Sequence, residues 1–297
     1  EISLGLVGSE MCIRDREMRE LNVSVITDNI KEMCIEANHF LSQDMKMCLN
    51  KACETEKNEL GKKVLSSLEE NLKIAEEDMI PICQDTGMAV IFIKIGQDVH
   101  LTGGKLEDAI NEGVRRGYVD GYLRKSVVKD PLIRENTKDN TPAIIHYEIV
   151  DGEDVTITVA PKGFGSENMS RVFMLKPADG IEGVKNAVLT AIKDAGPNAC
   201  PPMVVGVGIG GDFEKCTILS KKALTRNANE HSTIPYVKEL EEELLEKINS
   251  LGIGPGGLGG SNTAFAVNIE TYPTHIAGLP VAINTCCHVN RHVTRII

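Results

Sequence analysis

Apolar residues recur at helical spacing in several segments of the chain. Leu60, Val64 and Leu68 fall four residues apart with charged residues between them, so they line one face of a helix. The same spacing, with Thr27 as the N-cap, predicts a helix through residues 30–41. Further helices are predicted after Ser42 and over residues 106–114, 181–195 and 235–251.

Strand patterns lie between these helices. Residues 88–95 form an unbroken apolar run rich in branched side chains, which is typical of a buried strand. Residues 145–149 and 155–159 alternate between apolar and polar on either side of Asp151 and Gly152, a pattern that predicts a β-hairpin. Residues 99–101 are predicted to pair with the first strand, and further strands are predicted at 203–209, 263–269 and 281–285. This alternation of helices and strands predicts a mixed α/β fold, with β-sheets flanked by α-helices.

The composition is that of an ordinary globular protein, large enough for one big domain or two modest ones. The chain has 297 residues, of which 42% are hydrophobic and 25% are charged. Its formal net charge of -11 argues against nucleic acid or an anionic membrane surface as the main partner, because both favour basic patches. No apolar run approaches the roughly 18 residues that a membrane-spanning helix requires.

Cysteines are spread along the chain, at positions 12, 34, 48, 53, 83, 200, 216, 286 and 287. Their number is odd, their spacing does not resemble a small disulfide scaffold and no signal peptide is recognisable, so we expect a reducing cytoplasm. Neither the paired CxxC motifs of zinc sites nor the compact cysteine run of bacterial ferredoxins is present. A metal site would therefore have to be assembled from distant cysteines. Cys34, Cys48, Cys53 and Cys216 fall in helical patterns, and we interpret them as core residues.

The N-terminal segment, residues 1–17, fits poorly with the rest of the chain. It lacks an initiating Met and contains a short apolar string that runs into charged residues. We interpret this segment as non-native or disordered, with a native start at Met18, and we treat residues 18–297 as the folded domain.

A thiol, an amide and a carboxylate share one predicted turn. Cys83, Gln84 and Asp85 lie between Pro81 and Gly87, where the predicted helix gives way to the buried strand. Proline disfavours helix before it and glycine permits a tight turn, so these residues should form a loop between two rigid elements, a common place for chemistry. The alternative is that the cysteine is a small buried hydrophobe and the aspartate bonds to its own backbone in an ordinary turn.

Other cysteines stand at comparable boundaries. Cys200 precedes two prolines and a buried strand, while Cys286 and Cys287 follow the strand at 281–285. Three such thiolates could meet around one metal centre.

Three other features each allow two interpretations. Arg124 is either an ordinary cation at a helix C-terminus or a clamp for an anion. The glycines of residues 162–168 either let the backbone approach a ligand or belong to a plain connector. The glycines of residues 252–260 favour a nucleotide-binding loop only weakly, because they leave a helix and enter a strand, the reverse of a phosphate loop.

From about Met18 onward the chain resembles the alpha subunit of class I, iron-sulfur-dependent fumarate hydratase and the related tartrate dehydratase. The resemblance implies a fold like the N-terminal domain of class I fumarases, and a hydro-lyase alpha-type catalytic domain over residues 18–297. It rests on five segments that match in order and context, namely Cys83-Gln-Asp-Thr-Gly87, Lys162-Gly-Phe-Gly-Ser166, Ala199-Cys-Pro-Pro202, Gly256-Gly-Leu-Gly-Gly260 and Cys287-x-x-x-Arg291.

The resemblance implies a [4Fe-4S] cluster held by Cys83, Cys200 and Cys287, with one iron open to substrate. Cys287 is preferred to Cys286 because the family's third cysteine lies four residues before an arginine, here Arg291. A Lewis-acidic iron could hold a hydroxyl group as it leaves the carbon next to a carboxylate.

Further site residues are implied by the same resemblance. Asp85 matches the acid that protonates the leaving hydroxyl, and His275 matches a histidine that assists it through hydrogen bonding. Gln84, Arg124 and Gly165 match contacts to the substrate carboxylates, for which the planar fork of arginine is suited.

The base that removes the carbon-bound proton belongs to another domain in this family, so the resemblance implies a separate beta subunit and an alpha2-beta2 assembly. Hydration of fumarate to (S)-malate is the first expectation, and dehydration of tartrate to oxaloacetate is the second. The rival is an electron-transfer iron-sulfur protein, in which every iron would have a protein ligand. A third interpretation, a nucleotide-binding module, is supported only by the glycine-rich segments.

Overall fold

The computed structural model describes residues 18–297, so the interpretation of residues 1–17 lies outside the described residues. The mixed α/β fold with helices flanking the sheets is confirmed. No helix in this part of the chain is long and apolar enough to span a membrane. The helices are α1 (Val23–His39), α2 (Gln43–Thr55), α3 (Glu59–Glu77), α4 (Leu106–Asp120), the single turn α5 (Phe164–Glu167), α6 (Gly180–Ala195), α7 (Phe213–Ala223) and α8 (Pro235–Asn249). The strands are β1 (Arg19–Asn22), β2 (Met88–Gly96), β3 (Val99–Thr102), β4 (Ile144–Val150), β5 (Val155–Lys162), β6 (Arg171–Leu175), β7 (Met203–Gly211), β8 (Ala264–Thr274), β9 (Leu279–Cys286) and β10 (Val293–Ile296).

The first sheet has the strand order β10-β5-β2-β4. β2 pairs in parallel with β4 and antiparallel with β5, so that Ile91 is opposite Ile145 on one side and Val159 on the other. The predicted hairpin between β4 and β5 is therefore wrong, because β2 lies between them. β2 is apolar along most of its length, and a central position buries it. β4 stays at the edge of the sheet, where Tyr147 and Ile149 are exposed.

β3 forms a separate two-stranded parallel sheet with β1, and its predicted pairing with β2 is wrong. The end of β2 is already occupied on both sides. The Gly96 N–H donates to the Asp154 carbonyl at 2.9 Å, and the next residue donates to the Val150 carbonyl at 2.8 Å. β2 therefore has no free hydrogen-bonding edge for β3.

The second sheet has the strand order β6-β9-β7-β8. α6 and α8 cover one face, with Ile192 and Leu244 in the shared core. α7 covers the opposite face and lies directly on β7. A Cβ atom at Gly208 would be only 2.0 Å from the Cys216 carbonyl oxygen, so this close packing requires glycine.

α1 and α4 cover the first sheet, and α1 begins earlier than the sequence predicts. Asn22 is its N-cap, and the Asn22 side chain accepts a hydrogen bond from the Ser24 N–H at 2.9 Å. Thr27, the predicted cap, lies inside the helix. Its hydroxyl donates to the Ala109 carbonyl at 2.9 Å and so ties α1 to α4.

A third apolar cluster lies at one end of the second sheet. It includes Met45 of α2, Val204 of β7 and Ala266 of β8. Cys83 and Cys287 pack against this cluster, so it forms the floor of the predicted site.

Candidate active site

The loop between α3 and β2 is fixed by hydrogen bonds on both sides of Ile82. The Ile82 N–H donates to the Asn38 carbonyl at 2.9 Å, and its own carbonyl accepts from the Asn71 side chain at 2.9 Å. Ile82 is buried, whereas Cys83 is half-buried and Gln84 is exposed. The protein thus holds this loop rigidly while presenting its thiol and amide at the surface.

Asp85 links two of the segments that the sequence singled out. Its Oδ1 accepts from the Gly87 N–H at 3.0 Å, which is the ordinary turn that the alternative interpretation predicts. Its Oδ2 reaches further and accepts from the Phe164 N–H at 2.9 Å. Gly165, in the same short turn, is exposed, and a Cβ there would meet only the Asn198 carbonyl at 3.9 Å. The carboxylate therefore lies beside a backbone that a ligand can approach closely.

Arg124 is tethered to the same loop through its backbone. The Arg124 N–H donates to the Thr86 hydroxyl oxygen at 2.9 Å, and that hydroxyl donates to the Arg124 carbonyl at 3.1 Å. Thr86 is buried, while the Arg124 side chain is exposed. The main chain of Arg124 is thus fixed against the loop that carries Asp85.

Cys200 lies in a strained turn that its neighbours support. The residue adopts the left-handed conformation, with φ 53° and ψ 62°, and it is exposed. Its carbonyl accepts from the ring nitrogen Nδ1 of His288 at 3.1 Å. Burial raises the pKa of the Cys200 thiol, and the nearby Cys83 thiol raises it further.

Cys286 and Cys287 differ in environment. Cys286 is the last residue of β9, opposite Val204 of β7, and it is buried in the third apolar cluster. Cys287 is half-buried just beyond the strand. A hydrogen bond from Cys287 lowers the pKa of the Cys286 thiol against the opposing effect of burial, and together with the charges of Lys162 and Arg291 it brings this pKa to about 6. The positive groups around the pair therefore favour a thiolate here.

The topology of the second sheet brings these cysteines together. β7 begins where β9 ends, so the turn at Cys200 and the segment at Cys287 lie at the same end of the sheet. Cys83 and Cys287 pack on the same apolar cluster. Cys83 and Cys287 therefore lie on one cluster, at the end of the second sheet where Cys200 also lies.

Arg291 connects this region to the first sheet. Its guanidinium group is buried and donates to the Asp85 carbonyl and, at 3.5 Å, to the Pro161 carbonyl. Its Nη1 has no hydrogen-bond partner among residues 18–297. A buried cation with an unpaired donor lowers the stability of the folded protein unless an anion lies nearby.

The cysteine donors are compatible with an anionic iron-sulfur cluster. Nowhere in residues 18–297 do three His, Cys, Asp or Glu side chains lie close enough to hold one ion. In a [4Fe-4S] cluster each protein thiolate binds a different iron, so the ligands belong to different metal atoms. Three free cysteine thiols, which ligate iron once deprotonated, match such a group in chemistry, and the orphaned donor of Arg291 matches its negative charge.

His275 is the predicted site residue that the structure does not bring to the others within one chain. It follows β8, which begins beside β7 at the cysteine end of the sheet. β8 is 11 residues long, so His275 lies roughly 35 Å from that end. The sequence predicted a shorter strand over 263–269 and gave no sign of this separation.

The glycine-rich loop that could have suggested a nucleotide site supports Cys200 instead. The Gly256 N–H donates to the Pro201 carbonyl at 2.8 Å. The buried carboxylate of Glu56 accepts from the Ser261 and Asn262 N–H groups, both at 3.0 Å. Burial opposes the ionisation of Glu56, but a hydrogen bond from the Asn58 N–H, together with the bonds from Asn262 and Ser261, lowers its pKa to about 2. The amides of this loop are thus used by the protein itself.

A buried ionic group beside the site was missed from the sequence. Lys162 lies 3.3 Å from Glu167 and donates to the Ser166 hydroxyl at 2.8 Å, and Lys221 of α7 pairs with the same carboxylate. Burial alone would raise the pKa of Glu167, but the two lysines lower it. Lys221 follows only an amphipathic helix pattern, so the sequence carried no signal for its burial.

The chain is similar to known proteins over nearly its whole length. The profile of the family described as fumarate hydratase (Fumerase) matches residues 27–296. A relative from Methanocaldococcus jannaschii with the provisional name L(+)-tartrate dehydratase subunit alpha is 45% identical, over 91% of this chain and 96% of the relative. The L(+)-tartrate dehydratase subunit alpha of Escherichia coli strain K12 is 31% identical, over 93% and 91%.

Proposed function

Because the chain belongs to the fumarate hydratase (Fumerase) family of hydro-lyases, we propose that it is the alpha subunit of an enzyme that reversibly adds water to a four-carbon unsaturated dicarboxylate. The observation that supports this proposal is that Cys83 and Cys287 pack on one apolar cluster at the end of the second sheet where Cys200 lies, and that Arg291 contacts the Asp85 carbonyl. An electron-transfer protein has no use for an acid and an exposed backbone beside its thiols, so this arrangement favours a hydro-lyase.

Cys83, Cys200 and Cys287 would hold a [4Fe-4S] cluster. When bound, the cluster would supply a Lewis acid that polarises the hydroxyl group of the substrate. Arg291 would stabilise the negative charge of the thiolates from its buried position.

Asp85 would move the proton. In the dehydration direction its carboxyl group would give a proton to the departing hydroxyl, and in the hydration direction its carboxylate would take one from water. The bonds from the Gly87 and Phe164 N–H groups fix both carboxylate oxygens, so the group needs little rearrangement to react.

Gln84, Arg124 and Gly165 would bind the substrate carboxylates. Gln84 and Arg124 have exposed side chains next to Asp85, and Gly165 exposes its backbone on the other side of that carboxylate. A planar guanidinium group can bind one carboxylate through two parallel hydrogen bonds.

Two contributions would come from other chains. The relatives are named as alpha subunits, which supports a separate beta subunit that supplies the base for the carbon-bound proton. His275 lies too far from Asp85 to assist it within one chain. A second copy of this chain would have to supply it, which agrees with an alpha2-beta2 assembly.

Fumarate and L(+)-tartrate are both candidate substrates. The description of the matching family favours fumarate, with (S)-malate as the product, and fumarate is our first proposal. The names of the relatives favour L(+)-tartrate, which would be dehydrated to oxaloacetate.

We also propose that the protein is located in a reducing cytoplasm, because all eight cysteines of residues 18–297 are free thiols.

The test is to purify the chain anaerobically with a candidate beta subunit, load it with iron and sulfide, and measure kcat/KM for both substrates. Loss of fumarate absorbance and formation of oxaloacetate report the two reactions. The proposal predicts that one of them requires both subunits and the metal. A fully loaded complex that is redox-active but inert toward both substrates would overturn it in favour of electron transfer.

A further inference from the structure

A cavity of about 260 Å³ lies between the first sheet and α7. Val90 of β2, Ile144 and His146 of β4, Phe164 of α5 and Ile218 of α7 line it. None of the eight residues predicted for the active site is among its lining residues. It is therefore a separate feature behind the turn that contacts Asp85.

The polar end of this cavity carries an excess of positive charge. Lys162, Glu167 and Lys221 all line it, so the lining holds two amines and one carboxylate. Burial lowers the pKa of Lys221, and its pairing with Glu167 opposes this shift. Both lysines are largely buried, with side chains 6% and 18% exposed. His146 adds no further charge, because burial and then the neighbouring Lys221 lower its pKa.

Lys221 has hydrogen-bonding capacity to spare. Lys162 directs its amine to the Gly163 carbonyl, the Ser166 hydroxyl and Glu167, which occupies its three donors. Within residues 18–297, the Lys221 amine has only Glu167 as a hydrogen-bond partner. Two of its donors remain for an incoming anion.

The apolar walls of the cavity favour an anion that carries little hydration. Val90, Ile144, Phe164 and Ile218 are apolar, so a strongly hydrated dianion would lose its water without compensation. One excess positive charge matches a single negative charge. We propose that this cavity binds a small monocarboxylate with a short aliphatic chain, its carboxylate on Lys221 and its chain against the apolar walls.

A ligand in the cavity would affect the position of Asp85 in the neighbouring candidate active site. The Phe164 ring lines the cavity, while the N–H of the same residue donates to Asp85 Oδ2 at 2.9 Å. A ligand packed against the ring would contact the turn that positions the carboxylate. Binding itself does not depend on the proposed hydro-lyase function.

The test uses butyrate and the purified full chain, with binding followed by calorimetry and by ligand-observed NMR. We expect saturable binding of butyrate at millimolar concentrations and none of butylamine. Lys221→Met should weaken butyrate binding roughly tenfold or more, since it removes a charge-assisted hydrogen bond. Lys222→Met is the matched control, because that lysine is more exposed and pairs with Glu148 at 3.4 Å.

A second variant tests the cavity without touching its charges. Ile144→Trp places a larger side chain at a partly exposed edge-strand position and should abolish butyrate binding, while Lys221 keeps its pair with Glu167. Circular dichroism melting shows whether each variant is folded. Absence of butyrate binding to the wild-type chain, or equal binding by Ile144→Trp and wild type, would overturn the proposal. Because neither measurement needs the metal or a beta subunit, its failure is distinguishable from failure of the hydro-lyase proposal.

Discussion

The backbone N–H of Phe164 donates to Oδ2 of Asp85 at 2.9 Å, across 79 positions of sequence. The two residues meet because Met88 of β2 is paired with Lys162 of β5, which places the loop before one strand beside the turn after the other. The position of the carboxylate therefore depends on the register of the first sheet.

Replacing Phe164 by proline removes this hydrogen bond while keeping a residue that suits the first position of a helical turn. We expect kcat of the loaded enzyme to fall roughly tenfold or more, because the bond is made to a charged group. Phe164→Ala retains the N–H and is the control. Equal rates for the two variants would contradict a positioning role for the bond.

Asp85→Asn removes the transferable proton and preserves the size of the side chain. Turnover should fall by roughly 10²- to 10⁴-fold, as is typical of a general acid, while iron and sulfide content stay unchanged. Asp78→Asn, an exposed change in the same connection, should have no effect. Near-normal turnover in Asp85→Asn would exclude this residue as the acid.

Serine substitutions test the ligand set. Cys83→Ser, Cys200→Ser and Cys287→Ser should each abolish cluster assembly, whereas Cys34→Ser and Cys216→Ser should not, because those two thiols are buried in helix packing. Cys286→Ser should also retain the cluster, since this thiol lies in the apolar floor. Anaerobic iron and sulfide analysis with EPR shows whether each variant assembles the cluster. A normal cluster in Cys287→Ser would mean that Cys286, not Cys287, is the third ligand.

Glu56 should make stability depend on pH. Its pKa is lowered from 4.5 to about 2 in the folded protein, so its contribution is present above about pH 4.5 and is lost as the pH falls toward 2. The contribution is on the order of 3 kcal/mol. Glu56→Gln should therefore lower the free energy of unfolding at pH 7, and the difference from wild type should shrink in acid.

Denaturant unfolding of wild type and Glu56→Gln across this range is the measurement, with the exposed Glu54→Gln as control. A deficit in Glu56→Gln that stays constant from pH 7 to acid would show that the carboxylate charge does not stabilise the glycine loop.

The separation of His275 from Asp85 predicts complementation between copies. If each site combines the aspartate of one chain with the histidine of another, a mixture of Asp85→Asn and His275→Asn chains contains some intact sites. Activity after co-expression should then exceed the average of the two parents. Activity equal to that average would mean that no site draws on both chains.

The sequence predicted the local features well. Long periodic segments such as α3 and α8 appear as expected, and so does the placement of Cys83, Cys200 and Cys287 at element boundaries. These features depend on spacing within a few residues, which the sequence displays directly.

The predictions that failed concern features that depend on contacts between distant parts of the chain. β4 and β5 alternate like the two arms of a hairpin, yet β2 takes the place between them because its long apolar run gains most from being central. The orphaned donor of Arg291 and the buried Lys221 likewise arise from tertiary contacts that no local pattern records.

The C-terminal strand β10 belongs to the first sheet, so this sheet can be completed only late in synthesis of the chain. After Cys287 and Arg291, β10 pairs antiparallel with β5, with Val293 opposite Val159. The first sheet is therefore incomplete on the ribosome until residues 293–296 have emerged, by which time all three cysteines have been made. Within residues 18–297, β10 and Cys287 are thus made almost together, so termination upstream of Cys287 removes the edge strand of the first sheet and one of the three predicted cluster ligands.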